Sequence, residues 1–323
     1  MTVLYNLYKR SFLLLATIGF ISCSDDEPDV QWTEVSSLPS EFRTHHSFGF
    51  SLMGKGYLVT GDSGVPRADF YEYNPGADEW NRLSNYPGPA RSYGIGDVWE
   101  GKAYLGFGAD SDGDALNDLW VFDPTTITWT QLTSCPCEPR YHPAMVASKG
   151  KLFVGLGNNS RDYKDWWEYD IASDEWKQNP DLPGDERHHP YQFALGDYVY
   201  TGFGHGAGIY KNWFRYDPAT STWEQMADIP GEGRVAGTQF SFEGKGYVLS
   251  GDGQNHGPME TGEFWSYNPA TNTWEELPPH PGKSRWAPAS FIIDGEVYLI
   301  NGTIRAGTAL TFPSAVYKYK LNR

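Results

Sequence analysis

Tyr216-Asp-Pro-Ala-Thr-Ser-Thr-Trp223-Glu-Gln-Met-Ala-Asp-Ile-Pro230-Gly-Glu-Gly-Arg234 is one copy of a block that recurs along the chain. Its frame is an aromatic residue, six residues, Trp, six residues, Pro, three residues, Arg. The same frame reads Tyr73, Trp80, Pro87, Arg91, and again Phe122, Trp129, Pro136, Arg140. Two more copies are Tyr169, Trp176, Pro183, Arg187 and Tyr267, Trp274, Pro281, Arg285. A half copy, Trp32, Pro39, Arg43, stands near the N-terminus, and its missing half, Tyr319, near the C-terminus. Joined, the halves make a sixth copy. The strand around Trp32 should therefore complete the last repeat and close a ring, leaving no open sheet edge.

A second motif lies between each Arg and the next aromatic. An aromatic after a Gly-containing turn is followed four residues later by Gly: Tyr57 and Gly61, Tyr104 and Gly108, Phe153 and Gly157, Tyr200 and Gly204, Tyr247 and Gly251, Tyr298 and Gly302. Arg-to-Arg distances are 48, 49, 47, 47 and 51 residues. A period near 50 with two strand-like motifs and tight turns per repeat points to a propeller. The chain resembles the kelch-repeat family over residues 30–323, on its Asp123-Pro124 and Asp217-Pro218 turns, the later Trp, and the Tyr-x-x-x-Gly strand. The resemblance implies an all-β fold, a six-bladed kelch-type β-propeller of four-stranded blades. One departure is systematic. Where the family has Gly-Gly, the first Gly is here Thr60, Phe107, Leu156, Phe203, Ser250 or Asn301.

Composition agrees. Of 323 residues, 16% are aromatic, with 13 Trp and 36 Gly, and no stretch keeps a helical period. Residues 1–22 read as a signal peptide: Lys9 and Arg10, then the apolar run Phe12–Ile21, too short to span a bilayer. Phe20-Ile21-Ser22-Cys23 resembles a bacterial lipobox. The resemblance implies lipidation of Cys23, followed by an acidic tether over residues 23–29; ordinary cleavage near Ser22 is the other reading. The expected address is exported, with a lipid anchor in the outer membrane, on the cell surface or the periplasmic side. Loss of Lys9 and Arg10 takes the 25 basic residues to 23 against 41 acidic ones, a net charge of −18. That excludes a nucleic-acid partner on charge grounds. A monomer is expected.

Function on a repeat scaffold should sit where the repeats differ. Aromatic to Arg is always 18 residues; Arg to Gly is 18 in the first repeat and 17 in the rest; Gly to aromatic varies from 12 to 17. Length variation thus gathers in the loop between second and third strands, on the face that also carries the arginines. Arg43, Arg91, Arg140, Arg187, Arg234 and Arg285 would form either a cationic ring for carboxylates or ion pairs with Asp69, Asp118, Asp165 and Glu263, with Asn212 standing in once. His45, His142 and His189 read as one repeat position, with Tyr93 taking it in the second blade; His46 and His188 lie beside them, and His205 and His256 in the variable loops. These residues, with Trp286, are candidates for a ligand pocket at the channel mouth; the histidines otherwise form a metal site, which needs side chains converging from different blades, or line a wet channel. Tyr141 and Trp286 would stack on a sugar or cap the core.

Cofactors are expected to be none. Asp110, Asp112 and Asp114 resemble the start of a calcium loop without its distant Glu. Cys135 and Cys137 are either a local disulfide or free thiols. Galactose-oxidase-like copper chemistry is rejected, because no Tyr-Cys pair beside two His ligands is identifiable. The expected function is an exported propeller binding a carbohydrate or other small polar ligand. The alternatives are an enzyme like the six-bladed kelch sialic-acid mutarotases, with Glu260 as base, and a protein-interaction scaffold.

Overall fold

The computed structural model describes residues 32–306 and 309–321. Cys23 and the whole of 1–29 lie outside the described residues. Six four-stranded antiparallel sheets stand in a ring. The fourth blade shows the pattern: Tyr191–Leu195 lines the axis, Tyr198–Gly202 and Trp213–Asp217 follow outward, and Thr222–Met226 is outermost. Strands are innermost to outermost in chain order in every blade but the sixth.

There the outermost strand is Thr33–Val35, which pairs with Val316–Lys320. Thr33 faces Lys318, so Trp32 falls beside Tyr319, and their ring centroids are 5.2 Å apart. In the unbroken repeats the aromatic and Trp are registered cross-strand partners, as with Tyr216 and Trp223 at 4.8 Å. The six-residue spacing is therefore the length of a hairpin that sets its two aromatics side by side on one sheet face. The fold expected from the repeat, including its closure, is the one observed.

The hairpin turn needs a left-handed residue, which Asp78, Ile127, Asp174, Ser221 and Asn272 supply with φ of 53–57°. Tyr73, Tyr169 and Tyr267 each donate their hydroxyl to that residue's side chain where it is Asp or Asn. The same carboxylate or amide accepts a backbone N–H from the preceding blade's exit, as Asp174 does from Thr133. Trp176, Trp223 and Trp274 donate Nε1 to a carbonyl of that neighbour. The core is six apolar layers, one between each pair of adjacent blades, such as Tyr73 of the first blade against Phe291 and Tyr298 of the sixth.

Two backbone belts tie the blades near the axis. Each retained Gly donates its N–H to the start of the next blade: Gly61 to Arg91 O, Gly108 to Arg140 O, Gly157 to Arg187 O, Gly204 to Arg234 O, Gly251 to Arg285 O. Gly302 closes the belt on Thr44 O, not on Arg43. A Cβ on Gly108 would stand 2.3 Å from Ser92 O, which explains why this Gly stays. The residue before it is left-handed in all six blades, although none is glycine. Phe107, Leu156 and Phe203 use that strained backbone to drive an apolar side chain completely into the interior.

Candidate functional site

The second belt sets the site. Tyr93, His142, His189, Ala236, Ala287 and His46 are equivalent left-handed residues, one per blade, with φ between 47° and 61°. Backbone N–H groups link them around the axis: His142 to Tyr93 O, His189 to His142 O, Ala236 to His189 O, Ala287 to Ala236 O, His46 to Ala287 O. Each backbone is turned so that the chain crosses the channel mouth here.

This register corrects the alignment of the first blade. His46, not His45, is the counterpart of His142 and His189. His45 bridges to Asp62 as His188 does to His205, and Thr44 takes the place of the ring arginines. One extra residue between Arg43 and Gly61 causes the shift, and the 18-residue spacing against 17 elsewhere was its signal.

Five of the six ring arginines are held by partners inside the scaffold. Arg91 grips Asp118 with both terminal nitrogens at 2.8 and 2.6 Å and donates to Phe107 O. Arg140 holds Asp165 in the same way, Arg187 reaches Asn212 Oδ1 at 2.7 Å, and Arg234 pairs with Glu263 at 2.6 Å. Arg285 donates to the carbonyls of Asn301 and Ala315. All five are at most 2% exposed. Burial would raise Asp165, but the Arg140 guanidinium and the Trp167 indole hold its carboxyl below the usual range. Trp120 and Trp265 likewise donate to Asp118 and Glu263, so the aromatic two residues after each acid fixes it from the other side. The exception is Arg43: Asp69 is bound by Arg67 and Arg82 instead.

Beneath the histidine ring lies an axial cavity of about 410 Å³. Its walls run from His46, Tyr93, His142 and His189 down the innermost strands to Trp99, Ala147 and Ser241, just short of the tight turns. It therefore lies on the tight-turn side of the ring, away from the long loops where the variation in length placed it. Arg43, Arg91, Arg140, Arg187, Arg234, Arg285, His45, His205, His256 and Trp286 are absent from its lining. Sequence reasoning passed over Asp97, Gln192, Gln239 and Trp99, which do line it; Gln192 and Gln239 share one repeat position, three residues after His189 and Ala236, while Asp97 and Trp99 belong to the second blade alone. Asp97 accepts the backbone N–H groups of Val98 and Ala147, and burial pushes its carboxyl up to about 6. Gln192 Oε1 is buried without a partner among the described residues.

On the loop face the axis is capped. Trp286 is 8% exposed, edge-on to His46 at 4.5 Å, with the Arg305 guanidinium 3.7 Å above its ring. It caps the core. Tyr141 donates to Gly113 O and so anchors the acidic loop of the second blade. In that loop Asp110 Oδ1 accepts the N–H groups of Asp112 and Asp114, a turn made by side chain on backbone. His205 and His256 bond each other at 3.1 Å, and His188 bonds Asp162 at 2.7 Å. Asp252 is fully buried beside Arg305, 3.6 Å away, and burial pushes its carboxyl up to about 7. Glu260 is exposed and paired with Lys283. Cys135 and Cys137 form a buried disulfide.

The histidines form one contact network. His46 Nδ1 lies 2.7 Å from His45 Nδ1, and His46 Nε2 lies 2.8 Å from His189 Nε2. His142 stacks on His189 at 3.5 Å and bonds Asn158 Oδ1 through Nδ1. Burial lowers His142 to about 3 and His45 to about 4, and it takes His46 and His189 well below the usual value, so all are neutral at neutral pH.

Residues 28–195 match the KLHDC2/KLHL20/DRC7 Kelch-repeats domain model. Over 112 residues, 35% of this chain and 29% of the relative, the chain is 31% identical to an F-box/kelch-repeat protein of Arabidopsis thaliana. It is 30% identical over 106 residues to Kelch-like protein 35 of Mus musculus, covering 33% of this chain and 17% of the relative. Over 155 residues it is 26% identical to the N-acetylneuraminate epimerase of Pasteurella multocida, covering 46% of this chain and 37% of the relative. The chain thus spans well under half the length of these relatives.

Proposed function

The chain belongs to the kelch-repeat family, and on that premise we propose that it is an exported propeller that binds a small polar ligand, a carbohydrate or a molecule of like polarity, in its axial cavity. The observation that carries this is the cavity itself. Its volume of about 410 Å³ suits a sugar of one or two rings, and Trp99, Gln192 and Gln239 offer one stacking surface and two amides. The kelch arginines other than Arg43, being tied to acids, an amide and carbonyls, supply scaffold rather than ligand contacts. Export rests on the apolar run Phe12–Ile21 and on Cys23; lipid anchoring predicts that Cys23→Ser moves the protein from the membrane to the soluble fraction.

The test is a panel of neutral and acidic glycans, screened on an array and followed by thermal shift. Binding should appear with at least one glycan and vanish in Trp99→Ala or Gln239→Ala. Binding that survives both changes, or silence across the panel, would sink the cavity reading.

A second reading has its own observation. The similarity to the Pasteurella multocida N-acetylneuraminate epimerase accompanies a buried carboxyl, Asp252, held near neutrality beside Arg305. Those are the properties of an acid/base pair for proton transfer on a sugar acid. NMR of free N-acetylneuraminate would read anomer exchange, and a rate unchanged by Asp252→Asn would remove this reading. Association with another protein would appear as a co-purified partner.

A further inference from the structure

We propose that His46, His142 and His189 together bind one divalent transition-metal ion of the zinc, cobalt or nickel kind, with an open coordination position turned to the axial cavity. Each residue offers one ring nitrogen, and the three nitrogens lie within 4.8 Å of one another. Tetrahedral zinc with bonds of about 2.0–2.1 Å needs ligand nitrogens about 3.4 Å apart, so side-chain rotations alone complete the set. The three come from the first, third and fourth blades, at the one position per blade whose backbone is fixed by the inner belt. That convergence is what separates a built site from scattered channel histidines.

The surroundings are those of a ligand set. Asn158 Oδ1 accepts from His142 Nδ1, which fixes the tautomer and leaves Nε2 with a free lone pair. That Nε2 is buried and has no partner among the described residues. His45 holds the far nitrogen of His46, leaving its Nε2 toward His189. Three neutral imidazoles and no carboxylate favour zinc, cobalt, nickel or copper over calcium and magnesium. Ala236 and Ala287 occupy two of the remaining ring positions, and their small side chains leave room for the imidazoles on the axis. All three histidines line the cavity, so a metal held by them would face whatever enters it. Only that last extension rests on the ligand-binding reading.

Tag-free protein, treated with a chelator and dialysed, is titrated with cobalt(II) alone and followed by its visible absorption. No sugar is present, so the outcome is independent of the glycan screen. One cobalt per chain with the intense absorption of a low-coordinate nitrogen site is expected, displaced by one zinc. His142→Gln should abolish the stoichiometric site while leaving the far-UV spectrum unchanged. Asn158→Ala should weaken binding roughly 10- to 100-fold. If His142→Gln fails to fold, a rise in the unfolding temperature of the unaltered protein with zinc, absent with magnesium, serves instead. No stoichiometric binding, or binding indifferent to His142→Gln and His189→Gln, overturns the proposal.

Discussion

The Trp32 indole donates Nε1 to Pro278 O and packs 5.2 Å from the Tyr319 ring, so a residue at one end of the described chain completes a pair begun at the other. Trp32 also meets Phe264 of the fifth blade edge-on at 5.7 Å. Trp32→Ala should therefore weaken the seal between the N-terminal strand and the fifth and sixth blades, at a cost of about 3 kcal/mol in chemical denaturation. An effect below about 0.5 kcal/mol would mean that closure depends on the backbone pairs alone.

Arg91 and Arg43 look alike in the repeat and should behave differently. Arg91→Met leaves the Asp118 carboxylate half-stripped of partners in the interior, and a loss of about 3–5 kcal/mol is expected. Arg43→Met leaves Asp69 with Arg67 and Arg82, and a loss below about 1 kcal/mol is expected. Equal losses in urea unfolding would contradict the shifted register of the first blade.

That contrast shows what was legible beforehand. The blade number, the split repeat and the interblade aromatics follow from spacing alone, because Tyr73 and Trp80 must face each other if six residues separate them across a hairpin. The ion-pair reading of the arginines was legible too, since Asp118 precedes Trp120 by two residues as Asp165 precedes Trp167. The cavity was not. Its walls mix small, polar and aromatic residues of the innermost strands, such as Gly96, Gln192 and Phe240, with nothing to distinguish them until the channel gives them a shared space. The first-blade histidine was placed one residue early because an extra residue shifts Thr44 into the arginine's position; the 18-residue spacing carried the signal, and the belt of backbone hydrogen bonds fixes which residue moved.

The pair of residues at each strand end, left-handed then glycine, yields a third prediction. Gly108→Ala puts a Cβ 2.3 Å from Ser92 O at a φ of 94°, and should cost more than about 2 kcal/mol. Thr60→Gly relieves a φ of 58° and removes a buried hydroxyl that lacks a partner. It should stay within about 1 kcal/mol of the parent protein or exceed it. Thermal unfolding of both variants decides the order.

Asp252 makes stability depend on pH in a stated direction. Burial raises its pKa from 3.8 to about 7, so the folded protein keeps a proton that the unfolded chain has released. Its contribution is complete below the lower value and is lost as pH rises through the upper one. Asp252→Asn removes this slope. The difference in unfolding free energy between the variant and the parent should shift in the variant's favour by about 3 kcal/mol from roughly pH 5 to pH 8. A pH-independent difference would show that the carboxyl is ionised throughout.

The six left-handed residues of the inner belt have one further consequence, for how such a molecule changes over generations. Their backbones are fastened by N–H and C=O groups that every residue except proline possesses, so the hydrogen bonds of the belt do not depend on which side chain stands at His46, Tyr93, His142, His189, Ala236 and Ala287. They behave as interchangeable sockets around one axis. A single codon change at Ala236 or Ala287 could swap the chemistry at the centre of the ring while the blades that hold it stay as they are.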